Sequence, residues 1–252
     1  MDAIAADRPT DAQPSEPRAR IGLIIPSVNS LSEPQFNRFA PPGLGVHVTR
    51  ARVAGEWKGP LDEMAGEIAL AASLLADCGP DLIVFHCTDT SMTAGPQGEE
   101  RLLSLIREAS GIEAVATSRL VLEALRALAI DKVVVVSPYR TNDNVIRYLR
   151  ASGVEVVHDV ALGLTGREFV TVTPQRWADM ARENDRREAN GIFLSCTNTT
   201  QIEAIGEIED MLGKPVVNSN QAVLWGCVNR LRAALGTPAP MPALGRLMQR
   251  MN

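Results

Sequence analysis

The sequence has few histidines and cysteines, the side chains that most often bind zinc and iron. It contains three histidines and four cysteines. None of them share the short spacings typical of zinc or iron sites; they stand at Cys78, Cys87, Cys196, Cys227, His47, His86 and His158. A metal site is therefore not expected.

Long apolar runs and basic clusters are also missing. No run approaches the eighteen apolar residues that a membrane span needs, and we expect the first twenty residues to be a tail rather than a secretory leader. The formal net charge is −5, and basic residues do not alternate with aromatic ones, which argues against a nucleic-acid partner. Four cysteines without a leader predict free thiols in a reducing compartment. We expect a cytoplasmic protein that acts on a small molecule.

Two short segments of the chain repeat each other. Residues 81–90 (DLIVFHCTDT) and 191–200 (GIFLSCTNTT) each pass from an apolar run to a cysteine and then to hydroxyl and Asx residues. A buried strand that ends in small polar groups opens onto the crevice where open α/β sheets bind ligands. Cys87 and Cys196 are therefore predicted at equivalent strand ends.

The two cysteines have a structural interpretation and a functional one. Free cysteine is often a small buried core residue, but filling a core does not require both to be followed by the same polar sequence. Helix dipoles after the two strands would lower the pKa of each thiol towards a reactive thiolate. The repetition favours a pair of catalytic thiols facing one cleft, whereas Cys78 and Cys227 lack the polar sequel and are predicted to fill the core.

Strands and helices alternate along the rest of the chain, which predicts parallel sheets. The predicted strands cover residues 20–26, 45–53, 82–87, 114–117, 132–137, 154–157, 191–196 and 215–217; the predicted helices cover 60–76, 99–110, 120–128, 142–151, 174–188 and 221–234. Pro26 precedes Cys87 by 61 residues and Pro138 precedes Cys196 by 58. These similar spacings indicate two copies of one four-stranded unit.

The predicted fold is α/β, with two pseudo-symmetric halves, each a four-stranded parallel sheet flanked by helices, and the active site in the cleft between them. Residues 1–19 are predicted to be a disordered tail. The first domain covers residues 20–118 together with the C-terminal helix 221–235, the second covers 119–220, and residues 236–252 form a C-terminal tail. The amphipathic end of that tail suggests a homodimer.

Residues 20–235 resemble the aspartate/glutamate racemase superfamily. The resemblance rests on the two cysteine segments and on the phrases PSVNS (26–30), SPY (137–139), LSCTNT (194–199) and SNQA (219–222). Within the superfamily the sequence is most similar to the maleate cis–trans isomerase and arylmalonate decarboxylase branch. The resemblance implies a cofactor-independent enzyme that acts at a carbon next to a carboxylate.

The resemblance also implies roles for individual residues. Cys87 would be the nucleophile that adds to a double bond, and Cys196 would donate and recover the proton. The decarboxylase branch has glycine at the position of Cys87, which argues against decarboxylation. Asn29 would bind one substrate carboxylate. The carboxylate that becomes an enediolate would be bound by Tyr139, Thr88, Thr197 and Asn198.

Other interpretations of these residues stay open. Asn29 could form an Asx turn, Tyr139 could be a packing residue, and Thr88 and Thr197 could cap helices. Strand alternation points His86 away from the side of Cys87, so a packing role is expected for it.

Two positions depart from the isomerase pattern. Asp89 occupies a place where a neutral or small group is expected beside an anionic substrate; it faces away, caps a helix or indicates a different ligand. Residues 163–168 lack the asparagine that the isomerase uses there, and Arg167 could instead bind a second carboxylate.

Three functions compete on this sequence. The first is a two-thiol isomerase of a small unsaturated dicarboxylic acid, similar to maleate isomerase. The second is an amino-acid or hydantoin racemase that uses the same thiols to exchange an α-proton. The third is a ligand-binding protein without turnover, whose thiols would resist alkylation at neutral pH.

Overall fold

A computed structural model describes residues 16–236 and 241–250. Most of the predicted N-terminal tail, residues 1–15, lies outside the described residues, as do residues 237–240 and 251–252 of the predicted C-terminal tail. The predicted N-terminal tail is one residue too long, because Ala19 already pairs with Leu44 in the first sheet.

The first sheet contains four parallel strands in the order β2-β1-β3-β4. The residues of β1 are apolar almost throughout because helices cover both faces of the sheet. The elements of this half, in chain order, are β1 (Ala19–Pro26), α1 (Ser32–Phe39), β2 (Leu44–Ala51), α2 (Leu61–Ala76), β3 (Leu82–Phe85), α3 (Thr88–Thr93), α4 (Gly95–Ser110) and β4 (Ala114–Ala116).

The second sheet repeats this arrangement, with parallel strands in the order β6-β5-β7-β8. Its elements are α5 (Thr117–Ala127), β5 (Lys132–Ser137), α6 (Asp143–Ala151), β6 (Glu155–Ala161), α7 (Pro174–Asn184), β7 (Gly191–Leu194), α8 (Ile205–Leu212) and β8 (Val216–Asn218), followed by α9 (Ser219–Arg230) and α10 (Arg232–Leu235). The predicted fold class, two four-stranded parallel sheets flanked by helices, is confirmed.

Each sheet has a switch point in its strand order. The chain leaves β1 for β2 on one side and then crosses to β3 on the other, and β5 has the same relation to β6 and β7. Ligands of open α/β sheets bind outside the carboxyl ends of the strands at such a point. β3 ends just before Cys87 and β7 ends just before Cys196, so both thiols lie at switch points.

Helix α9 connects the two halves. Its N-terminus is held by a capping box between Asn218 and Gln221, and its body packs against α5 and α1. A Cβ atom on Gly226 would lie 2.5 Å from Leu120 Cδ2, so glycine permits the close approach of α9 to α5. The division of the chain into two domains stays a prediction.

A buried carboxylate also joins the two halves. Glu99 of α4 accepts hydrogen bonds from Tyr148 Oη of α6 at 2.7 Å and from Arg119 Nε of α5 at 2.9 Å. Because Glu99 is buried, these hydrogen bonds offset part of the cost of burying its side chain. Glu99 therefore links α4 to both α5 and α6.

The segment 244–248 packs against the protein's own core. Leu244, Leu247 and Met248 are buried, and the backbone N–H of Arg246 donates to Glu209 Oε2 at 2.9 Å. The apolar side of the tail that suggested a dimer is therefore occupied, and the oligomeric state stays a prediction. Within residues 16–236 and 241–250, no helix has the length and apolar content needed to cross a bilayer.

Candidate active site

Cys87 lies in extended backbone between β3 and α3. It is 6% exposed. Its thiol donates to Thr90 Oγ1 at 3.2 Å, and Thr90 in turn donates to the carbonyl oxygen of Val53 at 2.7 Å. These contacts fix the side chain of Cys87 at the carboxyl end of the first sheet.

Cys196 occupies the matching position after β7 in an unusual backbone conformation. Its φ angle is 154°, a region that residues with a Cβ atom rarely adopt, at a cost of about 1–3 kcal/mol. The backbone N–H of Asn198 donates to Cys196 Sγ at 3.3 Å. Such strain at a buried side chain is typical of functional positions.

One cavity, with a volume of about 670 Å³, contains both thiols. Its walls come from the carboxyl ends of both sheets and from the segments that follow β2 and β6. Every residue that the sequence predicted for the site lines this cavity: Asn29, Cys87, Thr88, Tyr139, Arg167, Cys196, Thr197 and Asn198. Their roles in catalysis and binding stay predictions.

Asn29 and Asn198 are partly used to connect the two halves. Asn29 Oδ1 accepts from the backbone N–H of Ser32 at 2.9 Å, so the Asx turn is present, and Asn29 Nδ2 donates to Thr197 Oγ1 at 3.2 Å. Asn198 Oδ1 accepts from the backbone N–H of Ser30 at 2.9 Å. The side-chain amide nitrogen of Asn198, Nδ2, has contacts only at 3.5 Å. It is therefore able to donate to a ligand.

The two threonines that follow the cysteines have different partners. Thr88 Oγ1 donates to Ser219 Oγ at 2.8 Å, so its proton is committed to the protein. Thr197 Oγ1 accepts from Asn29, which leaves its own proton for a ligand. The residue that precedes α3 is Cys87, and the residue that precedes the 3₁₀ turn Gln201–Ala204 is Thr200. Neither Thr88 nor Thr197 therefore occupies a capping position there.

Ser219 lies between the two cysteine segments and was not predicted as part of the site. Its Oγ accepts a hydrogen bond from Thr88 Oγ1. It also accepts one from the backbone N–H of Cys196 at 3.3 Å. One hydroxyl at the end of β8 thus ties both thiol-bearing segments together. The polar sequence SNQ directly after a buried strand was the signal that could have identified it.

His86 is part of a buried network behind Cys87. Its Nε2 lies 2.9 Å from Asn220 Oδ1, its Nδ1 lies 3.1 Å from Thr117 Oγ1, and its ring meets Phe36 edge to face at 5.2 Å. Burial lowers the pKa of His86 to about 3. The imidazole is neutral and does not line the cavity, which agrees with the predicted packing role.

Tyr139 and Arg167 enter the cavity from the second half. Tyr139 packs edge to face on Phe169, with ring centroids 5.9 Å apart. Burial raises the pKa of Tyr139 well above 10, and the charge of a thiolate at Cys196 or Cys87 raises it further. Tyr139 is therefore a neutral hydrogen-bond donor. Arg167 is exposed at the cavity edge.

The predicted lowering of the thiol pKa values is wrong. Burial raises the pKa of Cys196 to about 12, and burial also raises the pKa of Cys87. Desolvation disfavours the thiolate more strongly than the amide dipoles favour it. At Cys87, hydrogen bonds with Thr90 oppose the effect of burial on the thiol pKa. The charge of Asp89 adds to the effect of burial, and the charge of Lys58 lowers the pKa by a smaller amount.

The other two cysteines have separate locations. Cys227 is buried, as expected of a core residue, but Cys78 is exposed after the end of α2, so its predicted core role is wrong. The signal was present, because Cys78 precedes Gly79 and Pro80 in a turn. Within the described ranges, no three histidine, cysteine or acidic side chains form a group that could hold a metal ion.

Asp89 faces the cavity rather than away from it. Lys58 Nζ lies 2.5 Å from Asp89 Oδ2, and Asn144 Nδ2 donates to Asp89 Oδ1 at 3.2 Å. An ion pair and an amide are therefore added to the site, and neither Lys58 nor Asn144 was predicted for it.

Comparison with known proteins identifies chains of similar sequence. A family model described as arylmalonate decarboxylase matches residues 21–248. A maleate isomerase of Geobacillus stearothermophilus is 26% identical over 236 residues, covering 87% of this chain and 94% of the relative. An arylmalonate decarboxylase of Bordetella bronchiseptica is 28% identical over 234 residues, covering 90% and 95%.

Solved structures are similar to this fold over almost their whole length. The maleate cis–trans isomerase of Nocardia farcinica bound to Tris has a TM-score of 0.81 at 25% identity, covering 92% of this chain and 98% of the other. A structure of arylmalonate decarboxylase has a TM-score of 0.78 at 25% identity, covering 91% and 99%.

Proposed function

The chain belongs to the arylmalonate decarboxylase family, and from that premise we propose that it is a cofactor-independent isomerase of a small unsaturated carboxylic acid, similar to maleate isomerase. The observation that carries the proposal is the pair of thiols, Cys87 and Cys196, at equivalent strand ends on one cavity. Similarity to maleate isomerases supports the substrate class.

The reaction begins with the thiolate of Cys87. Its Sγ forms a bond to one alkene carbon, and the π electrons move to the other carbon, where the adjacent carboxylate delocalises them as an enediolate. The thiol of Cys196 delivers its proton to that carbon. The product of this half of the reaction is a saturated thioether.

The second half reverses these steps after rotation. The former double bond is now a single bond, so the two ends turn relative to each other. The Cys196 thiolate takes a proton back, the bond between carbon and Cys87 Sγ breaks, and the trans acid leaves. No atoms are gained or lost, and no reductant or oxidant is needed.

Donors around the cavity suit the charge that develops on the carboxylate. Tyr139 stays protonated and can donate a hydrogen bond. The hydroxyl of Thr197 and the side-chain amide nitrogen of Asn198 can also donate to a ligand. Each fixed hydrogen-bond donor that contacts a developing oxyanion raises kcat by about 10²–10³-fold. We propose these three residues as the carboxylate site, with Arg167 at its edge and Asn29 and Thr88 as positioning residues.

The cysteines differ in a way that matches their proposed roles. Burial and the charge of Asp89 raise the pKa of Cys87, but hydrogen bonds with Thr90 and the charge of Lys58 favour its thiolate. The pKa of about 12 keeps Cys196 protonated and available as the acid. Cys87 is therefore the nucleophile, and Cys196 is the proton donor.

Proton NMR with maleate tests the proposed function directly. We expect the vinyl signal of maleate to be replaced by that of fumarate in heavy water, with maleate offered at a concentration high enough to reveal even a poor substrate. The racemase alternative predicts unchanged maleate and instead places solvent deuterium at the α-carbon of a recovered amino acid or hydantoin. A protein that only binds ligand gives neither signal.

The pH dependence follows from the raised pKa of Cys87. Because the thiol is mostly protonated at neutral pH, kcat/KM should rise with pH by about tenfold per unit until the pH approaches the pKa of Cys87. Initial rates from about pH 6 to about pH 10 measure this slope. A flat profile over that range would contradict a rate-determining thiolate at Cys87.

A further inference from the structure

Asp89 is held in the cavity by two different parts of the protein. Lys58, from the segment after β2, pairs with one carboxylate oxygen at 2.5 Å, and Asn144 of α6 donates to the other at 3.2 Å. The Asp89 side chain is still 31% exposed and that of Lys58 is 21% exposed. The pair is therefore not sealed inside the core, and both groups can meet a ligand.

The charged side chains that line the cavity can compensate one negative charge on a ligand. Three cations, Lys58, Arg140 and Arg167, face two anions, Glu56 and Asp89, which leaves one positive charge in excess. The Lys58 ammonium, the cation paired with Asp89, is already neutralised. A monoanion matches this balance, whereas a dianion leaves one carboxylate without a compensating charge.

A second substrate carboxylate would meet an unfavourable partner at Asp89. Asp89 lines the same cavity as Cys87 and lies near enough for its charge to raise the pKa of that thiol beyond the effect of burial. A substrate group on the attacked carbon therefore lies near the Asp89 carboxylate. Two carboxylates that share a small site repel each other, and one of them must then take up a proton. A carboxamide avoids this cost because its N–H groups donate to Asp89 while its carbonyl accepts from Asn144 or Lys58.

We propose, resting on the proposed isomerase function, that the substrate carries a carboxylate at one end of its double bond and a carboxamide at the other, and that Asp89, with Lys58 and Asn144, binds the amide. The carboxylate end lies with Tyr139 and Thr197. The simplest molecule of this class is maleamate, the monoamide of maleate, and its product is the trans monoamide.

Competition between the two acids tests this selectivity. Initial rates with maleate and with maleamate are measured by NMR for the wild-type protein and for Asp89→Asn. In the wild type, kcat/KM for maleamate should exceed that for maleate by about tenfold or more, because only maleate introduces a second negative charge beside Asp89. Asp89→Asn removes that charge. The ratio of kcat/KM for maleamate to kcat/KM for maleate should therefore fall by about tenfold, because kcat/KM for maleate rises.

A matched control separates local from general charge effects. Glu108→Gln removes one negative charge from an exposed position on α4, outside the cavity, and should leave the ratio unchanged. The proposal is overturned if kcat/KM of the wild type is higher for maleate than for maleamate. It is also overturned if the ratio of these two values is the same in Asp89→Asn and Glu108→Gln. A purely structural role of Asp89 would lower both rates together and keep their ratio.

A binding measurement distinguishes this proposal from the proposed function. The saturated analogues succinate and succinamate cannot be isomerised, but either can protect Cys87 from alkylation by iodoacetamide, which peptide mass spectrometry detects. Succinamate should protect the wild type at a concentration about tenfold lower than succinate, and Asp89→Asn should abolish the difference.

This result does not depend on turnover. If neither unsaturated acid reacts but succinamate still protects better, the isomerase proposal fails and the recognition of the amide stands. Equal protection by both analogues, or protection by neither, overturns the proposal even if maleate is isomerised.

Discussion

Cys87→Ala should have no measurable isomerase activity, a loss of about 10⁴ or more. The substitution removes the sulfur that forms the covalent bond, and no other nucleophile is at the end of β3 to replace it; Thr90 and Thr88 are both committed to hydrogen bonds within the protein. Losses of about this size follow removal of a nucleophile in enzymes that form covalent intermediates. The fumarate signal in the NMR assay measures the effect.

The control for this variant is Cys78→Ser. Cys78 is an exposed cysteine outside the cavity, so this variant should keep the wild-type rate. Circular dichroism should show that Cys87→Ala is folded, because Cys87 is a small side chain whose removal leaves β3 intact. Retention of more than a few per cent of the rate by Cys87→Ala would exclude Cys87 as the nucleophile.

The fold was largely predictable because its main signals are local. Buried parallel strands are continuous apolar runs, and most of the eight strands were identified from such a run; β2 was identified from apolar residues that alternate with polar ones. The short helices α1, α3 and α8 were not predicted. Helix α3 contains three threonines and a serine among six residues, which have low intrinsic helix propensity, and it forms because it packs between α5 and α6.

The candidate site was only partly predictable, for a related reason. The cysteines, Tyr139 and Thr197 follow strands in sequence, so their position at one edge of a sheet could be inferred. Lys58 and Asn144 reach the site through tertiary contacts with Asp89, from which they are 31 and 55 positions away in the chain. Spacing along the sequence carries no information about such contacts.

The raised thiol pKa values show the same limit. The sequence indicates helices after the strands, whose dipoles favour a thiolate, but it does not give the depth of burial. Cys196 is 4% exposed, and desolvation at this depth outweighs the dipoles. A Cys196 that keeps its proton is, however, what a proton donor requires.

Cys196→Ala should lower kcat by about 10²–10⁴, which is the range for removal of a positioned acid–base group. Unlike Cys87→Ala, this variant retains the nucleophile, so iodoacetamide should still alkylate Cys87 at the wild-type rate and substrate should still protect it. Turnover by NMR and alkylation by mass spectrometry, measured on the same sample, separate the two roles. Equal loss of both would mean that Cys196 instead maintains the reactivity of Cys87.

Cys196→Gly is the matched variant that reveals why a cysteine occupies this strained position. Glycine adopts a φ of 154° without strain, so the free energy of unfolding of Cys196→Gly should exceed that of Cys196→Ala by about 1 kcal/mol or more. In most strands the order is reversed, because glycine weakens them. Both variants should have the same lowered kcat. If the glycine variant is more stable and has this lowered kcat, the thiol is kept at a cost in stability because the reaction needs its proton; if it keeps the wild-type kcat, Cys196 only fills space.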